Sequence, residues 1–293
     1  MIFSSVPVFA FSSLKLLLLP LAVGAAIKSA PFQGRGVGGG DLLVAPGRVL
    51  LVDSSRTVDV SLLNIGTKTA TYRISLIHQR MDADGQLAEI QTPGPGEHFA
   101  DELVRFTPRQ VVLEPNVSQL VRIQMSLPAG LEAGEYRSHI LFRAIPEPAT
   151  AELTAGTDAS ATGISMQLAP IYGISIPLIV RHGKTDVTVG MKDLQLSTTA
   201  DGIQVLTGHL TRLGNQSSYG DVQLMYSPKT GAPRQIGSLS GVAIYSPNSD
   251  RNFVIRLAMP VGTKLDGGAI KVQYRRPAVD GGRVIAEGTV GVS

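Results

Sequence analysis

The chain contains no cysteine among its 293 residues. It therefore has no disulfide to stabilise it, no thiolate to act as a nucleophile and no sulfur through which a lipid could be attached. Because no cross-link constrains the unfolded chain, the folded protein must gain its stability from the packing of its core alone.

Tryptophan is also absent, and aromatic residues make up only 5% of the chain. A carbohydrate-binding sandwich would need exposed aromatic rings, so this composition disfavours that function. Glycine and proline are frequent, with 32 and 18 copies, against 43% hydrophobic residues. Such a balance favours many short strands joined by turns over long helices, so we expect an all-β protein.

The formal net charge is only +3, and no basic run is interleaved with aromatic residues. This argues against a nucleic-acid partner. The five histidines are not spaced as metal ligands, and no nucleophile elbow precedes a helix. The sequence therefore predicts no catalytic residue, no metal, no cofactor and no small-molecule substrate, and the protein is not expected to be an enzyme.

The first residues are typical of an export signal. Lys15 is followed by the apolar run 16–23 and then by the small residues 24–26. This run is short for a membrane span, so we expect a signal peptide over residues 1–26 that is cleaved, rather than an uncleaved anchor. The glycine-rich residues that follow predict a flexible leader over 27–40.

Beyond the leader, short stretches alternate apolar and polar residues between turn signals. One example is the run Val58, Val60 and Leu62, and the turn signal Asp84-Gly85 predicts a hairpin. About seven such strands in roughly 140 residues predict an immunoglobulin-like β-sandwich, which we place at 41–183. A second set of alternating runs predicts another β-sandwich domain in tandem at 184–293.

The segment from Met166 to Val180 is the most informative feature. Its apolar residues share one parity and hence one face of a strand: Met166, Leu168, Tyr172, Ile174, Ile176, Leu178 and Val180. A strand of this length exceeds the usual five or six residues. One half can pack in the chain's own core while the other half adds to the sheet of another protein. The alternative is an ordinary central strand that follows a surface loop.

Several motifs occur in a fixed order along residues 41–183. They are Arg48 before Val-Leu-Leu, the strand Val-Ser-Leu-Leu-Asn that ends at Asn64, Phe106-Thr-Pro-Arg, Val112-Leu-Glu-Pro, Gln119-Leu-Val-Arg-Ile and Phe142-Arg-Ala-Ile-Pro. In this order they resemble the N-terminal domain of PapD-like periplasmic pilus-assembly chaperones. Residues 184–293 match the second domain of that family in size and strand content only.

The resemblance implies a chaperone in the periplasm of a Gram-negative cell. It would cap fimbrial subunits by donating a strand over about 166–174, before their assembly at an outer-membrane usher. The residues that would fill the groove of the subunit are Met166, Leu168, Tyr172 and Ile174. Whether the free chaperone caps itself as a dimer is left open.

The resemblance also implies a site for the carboxylate at the C-terminus of the subunit. Arg48 matches the arginine that holds it in the family. The lysine that usually assists this arginine is missing, because its position falls on Pro177. Arg181 lies just beyond on the same face and is the best candidate for a second cation.

The alternative is a secreted two-domain sandwich that becomes part of a surface fibre or adhesin. Such a fibre subunit would carry an alternating apolar strand directly after its signal. Residues 30–40 are glycine-rich and do not alternate, which favours the chaperone.

Overall fold

The structure, a computed structural model, describes residues 37–39, 41–146, 171–260, 262 and 265–292. The first group of strands in this part comprises β1 (Val37–Gly39), β2 (Leu42–Ala45), β3 (Val49–Val52), β4 (Thr57–Asn64), β5 (Ala70–Ile77), β6 (Gln79–Met81), β7 (Leu87–Glu89), β8 (Val104–Thr107), β9 (Gln110–Leu113), β10 (Ser118–Met125), β11 (Gly134–Ile145) and β12 (Gly173–His182). The second group comprises β13 (Val187–Thr198), β14 (Gln204–Gly214), β15 (Ser218–Ser227), β16 (Arg234–Ile244), β17 (Asp250–Arg256), β18 (Ala269–Arg275) and β19 (Val284–Gly291).

Helix is confined, in the described part, to two short 3₁₀ turns at Asp101–Leu103 and Ala278–Asp280. Neither is long or apolar enough to cross a bilayer. The described residues also hold no group of three or more acidic or histidine side chains placed to bind a metal ion.

The N-terminal sandwich is built from two five-stranded sheets. One has the order β1-β2-β4-β10-β8 and the other the order β3-β12-β11-β5-β9. Neighbouring strands are antiparallel except for β3, which runs parallel to β12. Residues of one parity point inward from each strand, as alternation requires. Val60 and Leu62 of β4 and Ile140 and Phe142 of β11 are fully buried between the sheets.

The C-terminal sandwich packs a three-stranded sheet, β13-β14-β17, on a four-stranded sheet, β16-β15-β18-β19. Its core is separate from that of the first sandwich and includes Leu206, Val222 and Tyr274. The predicted all-β class with two tandem immunoglobulin-like sandwiches is confirmed. The last strand, β19, pairs with β18 and forms one edge of the four-stranded sheet.

The expectations for the leader, the signal peptide and the first hairpin have different outcomes. The flexible leader predicted at 27–40 contains a strand near its end, because β1 pairs with β2. The predicted signal peptide, 1–26, lies outside the described residues. The hairpin predicted at Asp84-Gly85 is present between β6 and β7, with Gly85 at φ 82°, a left-handed conformation that favours glycine.

Asn64 ends β4 and is fully buried. Its side-chain amide donates hydrogen bonds to the carbonyl oxygens of Lys68, at 2.8 Å, and Leu113, at 2.9 Å. Its side-chain oxygen accepts the N–H of Gly66 at 2.9 Å. One side chain therefore satisfies three backbone groups of the turn and of β9, a strand of the opposite sheet.

We expect Asn64→Ala to lower the free energy of unfolding by about 2–4 kcal/mol, because it leaves buried backbone groups without partners. Chemical denaturation followed by circular dichroism measures the change. Gln124→Ala, at an exposed position of β10, is the control and should change stability little. An equal and small effect of both substitutions would contradict this role for Asn64.

Candidate functional site

Within the described part of the chain, the outer edge of β12 is paired with another strand over only half of its length. The parallel strand β3 pairs with Leu178–Arg181, whereas the stretch Gly173–Pro177 pairs only with β11 among the described residues. The N–H of Ala144 donates to the carbonyl of Tyr172 at 2.9 Å. Because hydrogen-bonded pairs alternate in antiparallel strands, Gly173 and Ser175 direct their backbone groups to the uncovered side. We call residues 173–177 of β12 the free edge.

The free edge ends at a residue without an N–H group. Pro177 leaves no unpaired donor where the pairing with β3 begins. Directly ahead of the free edge, Ile171 and Tyr172 are exposed by 49% and 57%. Met166 and Leu168, predicted to fill the groove of a subunit, lie outside the described residues.

Ile174 corrects the predicted donor strand. Its side chain is only 8% exposed and belongs to the core of the N-terminal sandwich. It therefore packs with Ile176, Leu178 and Val180 and not into a partner. Periodicity could not separate donor residues from core residues, since both lie on the same face of one strand.

Arg48 lies in the turn that leads into β3. It directly precedes Val49, which pairs with Leu178 of β12, and Leu178 directly follows Pro177. Arg48 therefore lies where the free edge ends. Its Nε is shielded from solvent and has no hydrogen-bond partner among the described residues. Burial lowers the pKa of the Arg48 guanidinium, and the guanidinium carbon lies 4.7 Å from the ring centre of Tyr219, in the C-terminal sandwich.

Arg181 is not the free second cation that the sequence suggested. Its Nε donates to Oε2 of Glu135 at 2.9 Å, and one terminal nitrogen donates to the carbonyl of Ser217 at 2.9 Å. The Glu135 side chain is only 1% exposed and also accepts hydrogen bonds from the backbone N–H and hydroxyl of Ser217. Arg181 therefore links the two sandwiches.

Positive charge exceeds negative charge around this link. Burial lowers the pKa of Arg48, Arg137 and Arg212, and Glu135 offsets part of this shift in each. Glu135 thus acts on these three arginines and is bonded to Arg181, and Glu97 is a second carboxylate that acts on Arg137. Arg212 donates to backbone carbonyls at 2.6–3.1 Å, but Arg48 takes part in no ion pair of the described residues.

His139 of β11 is paired with Pro177 of β12. Like Arg137, it lies on the face of β11 that is turned away from the core of the N-terminal sandwich. The structure buries it to 1% exposure, with neither ring nitrogen hydrogen-bonded, against the edge of the Tyr245 ring. Burial, with smaller contributions from Arg137 and His78, lowers the pKa of His139 to about 3.

The sequence analysis did not identify Glu135, Arg137, Tyr219 or Tyr245 as residues of this region. A signal for the first two exists, since polar residues alternate with apolar ones along β11, but an exposed strand face gives the same pattern. The two tyrosines carry no local signal. Tyr219 and Tyr245 contact Arg48 and Arg137 only because the C-terminal sandwich packs against the first.

The burial of His139 predicts a loss of stability in acid. Its pKa rises from about 3 in the folded state to about 6.5 in the unfolded chain. The unfolded chain therefore binds the proton more tightly, so the stabilisation is complete above pH 6.5 and falls away toward pH 3. When the pH is lowered from 8 to 4, the free energy of unfolding of the wild-type protein should fall by about 3 kcal/mol more than that of His139→Leu.

Denaturation followed by circular dichroism over this pH range tests the difference. His98→Leu, which removes an exposed histidine, is the matched control. Parallel pH profiles for wild type and His139→Leu would show that His139 does not carry this dependence.

Neither a protein-family model nor a curated protein sequence matches this chain. Solved structures do match. The YadV chaperone is 14% identical, covers 86% of this chain and 100% of its own, and has a TM-score of 0.41. The class 5 fimbriae chaperone CfaA is 10% identical, with coverages of 86% and 99% and a TM-score of 0.40.

The CupB2 chaperone of Pseudomonas aeruginosa is 14% identical, with coverages of 85% and 98% and a TM-score of 0.37. The chain is similar to solved fimbrial chaperones over nearly the whole length of each of them.

Proposed function

We propose that this protein is a periplasmic chaperone that binds an extended strand of a fimbrial subunit along the free edge and holds the C-terminal carboxylate of that strand at Arg48. One observation carries the proposal. Among the described residues, Arg48 has a shielded Nε and no ion pair, and it lies at the end of a sheet edge that no other described strand pairs with.

The free edge supplies the main-chain part of the interaction. The N–H and C=O groups of Gly173 and Ser175 are placed to pair with an added strand, as in β-strand addition. The inward side chains Ile174 and Ile176 anchor this stretch in the core. A partner therefore adds to a strand that is already ordered, which lowers the entropic cost of binding.

Arg48 selects the direction of the added strand. The parallel strand β3 starts where the free edge stops, directly after Arg48. A partner strand that also runs parallel to β12 would end at this point, with its terminal carboxylate beside the guanidinium. A strand of the opposite direction would bring its positively charged N-terminus there, which the cation disfavours.

The side chains ahead of the free edge would supply apolar contacts. The alternation of the sequence predicts one shared face for Met166, Leu168 and Tyr172, and Tyr172 is exposed in the described structure. A subunit that lacks one strand of its own sandwich would present an apolar groove to them. Burial of each side chain contributes about 1.5–3 kcal/mol, so binding needs no nucleotide.

Export belongs to the same proposal. A cleaved signal over residues 1–26 would deliver the chain to the periplasm, where subunits pass to an outer-membrane usher. An exposed donor strand of this kind could also be capped by a second copy of the chain until a subunit arrives.

The carboxylate site makes a specific prediction. A fluorescein-labelled, ten-residue peptide of alternating valine and threonine should bind more tightly with a free C-terminus than with a C-terminal amide. A charge-assisted hydrogen bond contributes about 1.5–3 kcal/mol, which predicts a preference of about tenfold to a hundredfold. Arg48→Ala should abolish this preference without lowering the unfolding temperature, because it removes an unpaired buried charge.

Arg109→Ala is the matched control for the peptide experiment. Arg109 also stacks on an aromatic ring, that of Phe106 at 4.4 Å, but away from the free edge. It should keep the preference for the free carboxylate. Equal binding of the two peptides to the wild-type protein would refute a carboxylate site.

The donor residues can be tested beside each other. Tyr172→Asp and Leu168→Asp should leave the protein folded but abolish its ability to keep a co-expressed fimbrial subunit soluble. Burying an unpaired carboxylate in an apolar groove costs several kcal/mol of free energy, about as much as the lost apolar contacts supplied. Ile171→Asp, at the neighbouring exposed position of opposite parity, should reduce capture much less. Ile174→Asp should unfold the N-terminal sandwich, since Ile174 lies in its core.

Co-purification of subunit and chaperone, with circular dichroism of each variant, gives the readout. Undiminished capture by both Tyr172→Asp and Leu168→Asp would show that the strand is not donated.

A further inference from the structure

Tyr219 joins the two sandwiches at the arginine of the proposed site. It lies near the start of β15, in the C-terminal sandwich, and its ring centre is 4.7 Å from the guanidinium carbon of Arg48. Arg48 belongs to the N-terminal sandwich. The stack of these two side chains therefore depends on how the sandwiches are held together.

The position of Tyr219 is fixed two residues earlier in the chain. Ser217 donates its N–H to Oε2 of Glu135 at 2.9 Å, and its carbonyl accepts from Arg181 at 2.9 Å. The hydroxyl of Ser217 also accepts the N–H of Ser246 at 2.9 Å, within its own sandwich. Because side chains alternate along an extended chain, Ser217 and Tyr219 face the same way, toward the first sandwich.

The contact between Arg48 and the Tyr219 ring does not use the Nε of Arg48 as a hydrogen-bond donor. An aromatic ring attracts a cation over the face of the ring, and a guanidinium can stack there with its plane against the ring. A carboxylate binds a guanidinium in that plane, through its N–H groups. The ring of Tyr219 can therefore hold the flexible side chain of Arg48 in place without competing for the donors that a carboxylate needs.

A second stack in the interface shows the contrast. The guanidinium of Arg137 lies 4.4 Å from the ring centre of Tyr245, but one of its terminal nitrogens donates to the carbonyl of Gln79 at 2.8 Å. Arg137 is thus committed to the protein's own backbone. Arg48 is the stacked arginine of the interface that stands at the free edge.

We infer that Tyr219 is a positioning residue for the carboxylate site, so that the C-terminal sandwich contributes to subunit recognition by aiming Arg48. This inference rests on the proposed function. It assigns to an aromatic ring of the other sandwich the support that a second cation does not provide, because Arg181 is bound to Glu135.

The test uses the full chain and the same pair of valine–threonine peptides, one with a free C-terminus and one amidated. The measured quantity is the ratio of their dissociation constants. Tyr219→Leu should reduce the preference for the free carboxylate by about threefold to thirtyfold, and Tyr219→Phe, which keeps the ring, should restore it. Binding of the amidated peptide should change little in either variant.

The ratio separates positioning from a general loss of structure, which would weaken both peptides together. Should Tyr219→Leu fail to fold, Tyr219→Met, which fills irregular gaps, is measured in its place. If Arg48→Ala abolishes the preference for the free carboxylate but Tyr219→Leu retains it, this inference is wrong and the proposed function stands. No wild-type preference would overturn the proposed function and this inference with it.

Discussion

The carboxylate of Glu135 accepts hydrogen bonds from Arg181 on its own sheet and from Ser217 on the other sandwich. A carboxylate buried this deeply is costly unless all its partners are in place. Those partners come from both sandwiches, so the network is complete only in one arrangement of the two. The cluster that surrounds it, with Ile179, Tyr245 and Tyr219, is small beside either core. Polar geometry therefore fixes how the sandwiches meet.

Much of the proposed site follows from this one interaction. It engages Arg181, which leaves Arg48 as the cation at the end of the free edge. It also covers the outer face of β11, where His139 and Arg137 are buried against Tyr245. The side chains that a solvent-exposed strand would have kept in water become the lining of an interface.

The two halves of strand β12 differ in the strands that they pair with. Its second half is paired with both β3 and β11, whereas its first half pairs only with β11 among the described strands. Inward side chains from Ile174 to Val180 keep both halves ordered. An ordered but unpaired edge is a hazard for an isolated protein and a binding surface for a partner. In the proposed function, Arg48, which has no ion pair among the described residues, would add electrostatic selectivity to an edge that would otherwise accept any strand.

A good part of this protein could be predicted from the sequence. Alternation at period two and turn residues are local signals, so they indicated the all-β class, the two tandem sandwiches and the hairpin at Asp84-Gly85. The order of the motifs indicated Arg48. The resemblance assigned Ile174 to a partner, and alternation could not correct this, because a pattern gives the face of a residue and not what covers it.

The tertiary structure alone decided which charges are free. Glu135 and Ser217 are 82 residues apart in the chain, and no local pattern connects them. Their contact engages Arg181 and brings Tyr219 under Arg48. The sequence by itself determined where strands form and which side chains share a face. Only the packing of one sandwich on the other determined which of those faces is buried and that Arg48 has no ion pair within the part of the chain that the structure describes, because burial and ion pairing depend on contacts between residues distant in sequence.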